Sequence, residues 1–318
     1  MALVTKIGVR DLFFLLVALP VMVHAGSEPE LIRRSYVSSE TDQERQYFVY
    51  LPRGYREEKQ RWPLILFLHG NGERGNARDH LDLVVAHGPL YEAWIRRREL
   101  PFVIVSPQLP LFGRDVADLQ NPQVDVAART EQDPGRWPHH RAANPEERLA
   151  TPIDRAGAHE YPGDFSRFDP YPAGDKRPPD GWFRIIPDLH RIVDATVEEF
   201  RIDPDRNYLT GLSYGGFGTF DLAAADPDRW AALAPIVGTG DLRDARVLAE
   251  SGVPIWMFGG GLDPVVKPHW LYEMAKALEL AGHPALRFTI HEDMSHDAWK
   301  RVYAGQDLYD WLLSHQKK

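Results

Sequence analysis

The chain has no cysteine in its 318 residues, which excludes disulfides, a thiolate metal site and a cysteine nucleophile. It also lacks an H-E-x-x-H spacing and an EF-hand loop. The scattered donors between 111 and 181, among them His139, His140 and His159, therefore have no metal-site pattern, and neither a metal nor a cofactor is expected. No internal repeat or heptad array is visible, which disfavours a solenoid or coiled coil. Positive charge is in deficit: 37 Lys and Arg stand against 46 Asp and Glu, a formal net charge of −9. That balance argues against nucleic acid or another polyanion as partner. Arg96-Arg97-Arg98 runs against it and reads as the solvated face of an amphipathic helix. Long apolar runs are scarce too. Leu12 to Val23 is too short for a comfortable membrane span; Lys6 and Arg10 precede it and Val23-His24-Ala25 follows. Residues 1–25 are thus expected to be a signal peptide cut after Ala25, with no stable membrane span afterwards and a secreted or periplasmic location; an uncleaved anchor is the alternative.

What is present is a chain with 43% hydrophobic residues, enough to bury one large core, and no linker that would separate a second one. Residues 26–318 are expected to be a single α/β domain. Continuous apolar runs at Pro63–Leu68 and Phe102–Ser106 read as strands buried on both faces of a parallel sheet, with Tyr47–Leu51 as an antiparallel lead-in. Helices are expected at 187–200, where Leu189, Ile192, Val193, Val197 and Phe200 fall on one face, and at 267–281 and 305–315. Residues 111–181 are rich in Pro, Asp, Arg and Gly and have no sustained period, although they carry Trp137, Tyr161, Phe165, Phe168 and Tyr171. A loop this long inside a compact domain is usually functional or disordered, so it reads as an insertion or lid at the catalytic edge of the sheet, with a disordered surface excursion as the alternative.

The chemistry is concentrated in Tyr208-Leu-Thr-Gly-Leu-Ser-Tyr-Gly-Gly-Phe-Gly218, a strand, a sharp turn and a helix start with Ser213 at the apex of G-x-S-x-G. A serine hydroxyl is a poor nucleophile at neutral pH, so a catalytic one needs exposure, a base and donors for an oxyanion. Gly211 and Gly215 allow the strand and helix backbones to pass close together. The strand at 63–68 empties into His69-Gly-Asn-Gly-Glu-Arg-Gly75, where one oxyanion donor is expected: the N–H of Asn71, or else of Gly72. The other is the N–H of Tyr214. Asp263 follows the strand Val253–Phe258 and His296 follows Leu286–Ile290. Open parallel sheets gather such strand-end residues in one crevice. His296 would act as general base and Asp263 would orient it, with His291, Glu292, Asp293 and Asp241 as rivals; Asp241 precedes a helix and also reads as its cap. Trp299, three residues beyond His296, and Trp182 are candidate pocket residues, with core packing the other reading of Trp299.

These motifs, with Ser106-Pro-Gln and His296-Asp-Ala-Trp299, resemble the α/β-hydrolase superfamily, in particular esterases near the polyhydroxybutyrate depolymerases and feruloyl esterases, with prolyl-oligopeptidase-like hydrolases also similar. The resemblance spans roughly 47–110 and 182–313 and departs at 111–181. It implies an α/β-hydrolase fold, a mostly parallel central sheet flanked by helices, and a secreted carboxylic ester hydrolase acting on a small or polymeric ester. By position it assigns Ser213, Asp263 and His296 as a triad and Asn71 and Tyr214 as oxyanion donors. A peptidase with the same triad, or a binding protein that keeps the fold without catalysis, are the alternatives.

Overall fold

In the computed structural model, which describes residues 27–114, 158–161 and 176–317, alternate residues of each central strand enter two different cores. In β3 (Trp62–Leu68), Leu64, Leu66 and Leu68 join one core while Ile65 and Phe67 join the other. β4 (Val103–Pro107) and β8 (Ile255–Gly260) divide in the same way, with Val103, Val105, Ile255 and Met257 against Ile104, Trp256 and Phe258. A strand buried on both faces must be apolar throughout, which is why these segments read as unbroken hydrophobic runs.

Among the described residues, nine strands form one sheet in the order β1-β2-β4-β3-β6-β7-β8-β9-β5. β1 (Glu30–Val37) and β2 (Glu44–Leu51) make an antiparallel lead-in, and β2 runs antiparallel to β4. From β4 through β3, β6 (Ile202–Leu212), β7 (Ala232–Ile236) and β8 to β9 (Leu286–His291), every pairing is parallel. β5 (Ala158–Tyr161) closes the far edge antiparallel to β9. The connection expected to be wholly irregular thus contains an edge strand. Its remainder, 115–157 and 162–175, lies outside the described residues, as do residues 1–26, and with them the expected signal peptide.

The helices cover both faces. α1 (Ile186–Glu199) carries Pro187 in its first turn, where the missing N–H costs nothing, and buries Leu189, Ile192 and Val193. α2 (Tyr214–Ala225) starts directly from β6 and is buried almost all round, with Thr219 Oγ1 donating to the Gly215 carbonyl at 2.8 Å. α3 (Ala245–Ser251) ends at Gly252, whose φ of 68° makes a left-handed cap. α4 (Pro268–Leu280), α5 (Trp299–Ala304) and α6 (Asp307–Leu313) follow. None of the described helices is long and apolar enough to cross a membrane.

The basic triplet departs from its reading as a solvated helix face. Residues 91–95 are helical and Arg98 lies past them, largely buried, donating to the carbonyls of Tyr303 and Ala304 at 2.9 Å and of Gly305 at 3.2 Å. These carbonyls lie at the negative end of α5, where the helix itself supplies no donor, and the guanidinium bonds all three; the Tyr303 carbonyl also accepts from the Tyr309 hydroxyl at 3.0 Å. Apart from Glu92, which pairs with it at 3.1 Å, these partners lie about two hundred residues downstream in sequence, beyond the reach of local periodicity.

Candidate active site

The parallel strands β3, β6, β8 and β9 all deliver their C-terminal loops to one edge of the sheet. At the end of β6, Ser213 adopts φ 51° and ψ −116°, a conformation that costs a non-glycine residue about 1–3 kcal/mol. The surrounding packing enforces it. A Cβ on Gly215 would lie 1.8 Å from the Leu68 carbonyl oxygen, and one on Gly211 would lie 2.2 Å from the Gly215 oxygen. Strand and helix backbones therefore touch with no room for a side chain. The Ser213 N–H donates to Ile236 O of β7 at 3.0 Å, and its carbonyl accepts from Phe217 N–H at 3.1 Å.

His296 stands over this turn. Its Nε2 lies 2.9 Å from Ser213 Oγ and its Nδ1 lies 2.7 Å from Asp263 Oδ2. A carboxylate can only accept, so Nδ1 carries the proton and Nε2 is left to accept from the hydroxyl. Asp263 is buried, and its second oxygen accepts from the N–H groups of Val265 at 2.8 Å and Val266 at 3.0 Å. Both carboxylate oxygens are engaged, which fixes the imidazole plane. The Trp299 ring meets His296 edge-on, with centroids 5.2 Å apart.

The loop after β3 meets the same turn. Gly70 caps a short helical turn, Asn71–Glu73, and a Cβ placed on Gly70 would come within 3.6 Å of Ser213 Cβ. Asn71 and Tyr214 are thus the first residues of two helical segments that begin beside Ser213, and N–H groups at that position have no acceptor within their own helix. This loop is held by buried polar side chains. His69, fully buried, donates through Nδ1 to the Gly70 carbonyl at 2.6 Å and accepts through Nε2 from Leu109 N–H at 2.9 Å. Burial pushes its pKa down to about 3, so the ring is neutral. Gln108 donates to the Glu73 carbonyl at 2.8 Å and accepts from Ala77 N–H at 2.7 Å. Arg45 reaches the carbonyls of Gly75 and Gln108.

The structure brings Ser213, His296, Asp263, Asn71 and Tyr214 together. It moves both tryptophans away from the pocket reading. Trp182 is 1% exposed, donates through Nε1 to the His69 carbonyl at 3.1 Å and packs where a Gly218 side chain would be, so it braces the loop after β3. Trp299 is 5% exposed and belongs to the core behind His296, in contact with His87. Three of the four rivals are occupied elsewhere: Asp241 accepts from Arg243 N–H as a helix cap, Asp293 pairs with Arg301, and His291 lies parallel to the Phe258 ring in the core, while Glu292 is exposed. Sequence reasoning missed His69, Arg74, Gln108 and Asp180. The motif H-G-N-G-E-R-G carried two of them in plain view, but their partners lie at 108–110 and 180–182.

Residues 184–251 match the model of the prolyl oligopeptidase family. NocK of Nocardia uniformis subsp. tsuyamanensis, described as an esterase, is 34% identical over 74 residues, 23% of this chain and 22% of that protein. Poly(3-hydroxyalkanoate) depolymerase C of Paucimonas lemoignei is 46% identical over 50 residues, 16% of this chain and 12% of the depolymerase. The match therefore spans less than a quarter of either relative. Among solved structures, a thermostable esterase superposes over 90% of this chain and 63% of its own with a TM-score of 0.55 and 23% identity. Sheet order, the β6–α2 turn and this likeness together establish an α/β-hydrolase fold.

Proposed function

We propose that this α/β-hydrolase is a secreted serine esterase that cleaves carboxylic esters through an acyl-enzyme. The observation that carries the reading is the continuous path from Ser213 Oγ to His296 Nε2 at 2.9 Å and from His296 Nδ1 to Asp263 Oδ2 at 2.7 Å, ending on a buried carboxylate. In the first half-reaction His296 Nε2 takes the hydroxyl proton as Oγ attacks the ester carbon, and the imidazolium is stabilised by Asp263. The carbonyl oxygen becomes an oxyanion that accepts from the N–H groups of Asn71 and Tyr214, at the positive end of α2. Collapse expels the alcohol, which receives the proton from Nε2 and leaves the acyl group on Ser213. Water then repeats the sequence and releases the acid. The chain's own residues supply every group, and the roles call for no metal or cofactor.

Export rests on the leader pattern at 1–25, with which the lack of cysteine is compatible. A peptidase of the prolyl oligopeptidase type is the second reading, favoured by the family match over residues 184–251. Hydrolysis of p-nitrophenyl esters of several chain lengths, a feruloyl ester and an aminoacyl anilide by wild type and Ser213→Ala separates the two. The esterase reading expects ester turnover to exceed anilide turnover and to fall by about 10⁶-fold in the variant. Anilide cleavage outrunning every ester would move the assignment to the peptidase.

A further inference from the structure

The guanidinium of Arg74 is fully buried directly after the turn that carries Asn71. Nε and Nη2 both donate to the Pro110 carbonyl, at 3.0 and 2.8 Å; Nη1 donates to Asp180 Oδ2 at 2.9 Å and makes a longer contact to Asn71 Oδ1 at 3.4 Å. The Tyr214 and Phe112 rings lie 5.8 and 5.6 Å from its carbon centre. One side chain therefore touches both proposed donor residues, the loop after β4 and the segment that returns from the long connection. Two residues past Asp180, Trp182 holds the His69 carbonyl, so the turn Asp180-Gly181-Trp182 grips the oxyanion loop at both ends.

A buried cation stripped of water is costly unless its donors are matched. Here all three guanidinium nitrogens are matched at once, by acceptors from two distant segments and from the turn before Arg74, and a planar fork does this where a lysine ammonium cannot. Of the other ties of the loop, Gln108 and Arg45 fasten its later part to the end of β4, while His69 bonds the Gly70 carbonyl, in the same peptide unit as the Asn71 N–H, so Arg74 and His69 hold the Asn71 side from its two ends.

We propose that Arg74, held by Asp180, is a positioning residue that sets the Asn71 N–H at the oxyanion distance, and that the Asp180–Trp182 turn is the second jaw of this clamp. The proposal rests on the reading of Ser213 as nucleophile. It ties the return of the long connection to transition-state stabilisation and gives Asp180 a role that no sequence motif marks. A misplaced donor weakens binding of the tetrahedral species more than binding of the planar ester, so the loss falls on kcat and leaves KM nearly unchanged.

The test measures kcat and KM on a p-nitrophenyl ester, the inhibition constant of a trifluoromethyl ketone, whose tetrahedral adduct presents its oxygen to the oxyanion donors, and Tm. Wild type is compared with Arg74→Lys, Asp180→Asn, Trp182→Phe and Ser213→Ala. Arg74→Lys is expected to lower kcat about 10- to 100-fold and to weaken the ketone by a similar factor, with KM within about threefold of wild type. Asp180→Asn and Trp182→Phe should move the same two quantities together by smaller factors. Folded variants with unchanged kcat, or with a kcat loss that the ketone does not share, would overturn the clamp. Should Arg74→Lys not fold, Asp180→Asn and Trp182→Phe decide by the same criterion. Ester turnover that survives Ser213→Ala would instead overturn the nucleophile reading, and the clamp with it.

Discussion

The Ser213 turn and the loop at 69–75 meet at one point but are built from different materials. The serine turn is steric: backbone lies against backbone, two glycines leave no space for a Cβ, and a positive φ is imposed on a residue that would avoid it. The loop is polar. Its course is set by His69, Arg74, Gln108 and Arg45, all buried and all bonded to carbonyls, N–H groups or a carboxylate contributed by other segments. Steric frames are intolerant of added atoms, whereas polar frames are intolerant of changes in charge and geometry. The two halves of the site should therefore fail in different ways.

Beyond loss of the nucleophile itself, the largest effect should come from a change that disturbs neither frame. Asp263→Asn keeps the acceptor for Val265 and Val266 but can present an N–H to His296, which favours the wrong tautomer; kcat should fall by about 10⁴-fold with little change in Tm. A comparable loss of Tm would mean that the carboxylate belongs to the frame as well. Next in size, Gly215→Ala forces a Cβ to 1.8 Å from Leu68 O and should cost at least about 4 kcal/mol in chemical denaturation, with activity lost together with fold. A well-folded alanine variant would show that the turn is looser than the backbone contact implies.

The smallest effect reads the polar frame. Folded His69 has a pKa of about 3 against 6.5 for the free side chain. The unfolded chain binds the extra proton first, so this residue's contribution is complete above about pH 6.5 and is lost as pH falls toward 3. His69→Gln, which is neutral and can still donate and accept, should shrink the stability difference between pH 7 and pH 5 by about 2 kcal/mol. An unchanged difference would mean that the buried ring takes up its proton without cost.

The same contrast explains what the sequence disclosed. Backbone-built features leave local patterns: G-x-S-x-G, the apolar runs at 63–68 and 102–106, and the helical spacing at 187–200, which the structure places at Ile186–Glu199. Asp263 and His296 were legible because each follows a strand in a parallel sheet. Side-chain-built features leave none, since Arg74 and Asp180 are 106 residues apart and no period connects them. Trp182 was misplaced for that reason: a tryptophan near a site looks like a pocket wall until its N–H is found on His69 O. Arg98 was misread in the same way. A charge run looks solvated until the helix end that it caps is known.

The central claim is that Ser213 is the residue made nucleophilic by His296 and Asp263. Its most direct test is labelling of the folded protein with a p-nitrophenyl alkylphosphonate, with the adduct located by peptide mass spectrometry and the released p-nitrophenol counted. One equivalent should be released, with one adduct on Ser213, loss of ester turnover in step with labelling, and a large drop in labelling rate in His296→Ala. An adduct on another residue, or ester turnover that persists in fully labelled protein, would contradict the claim.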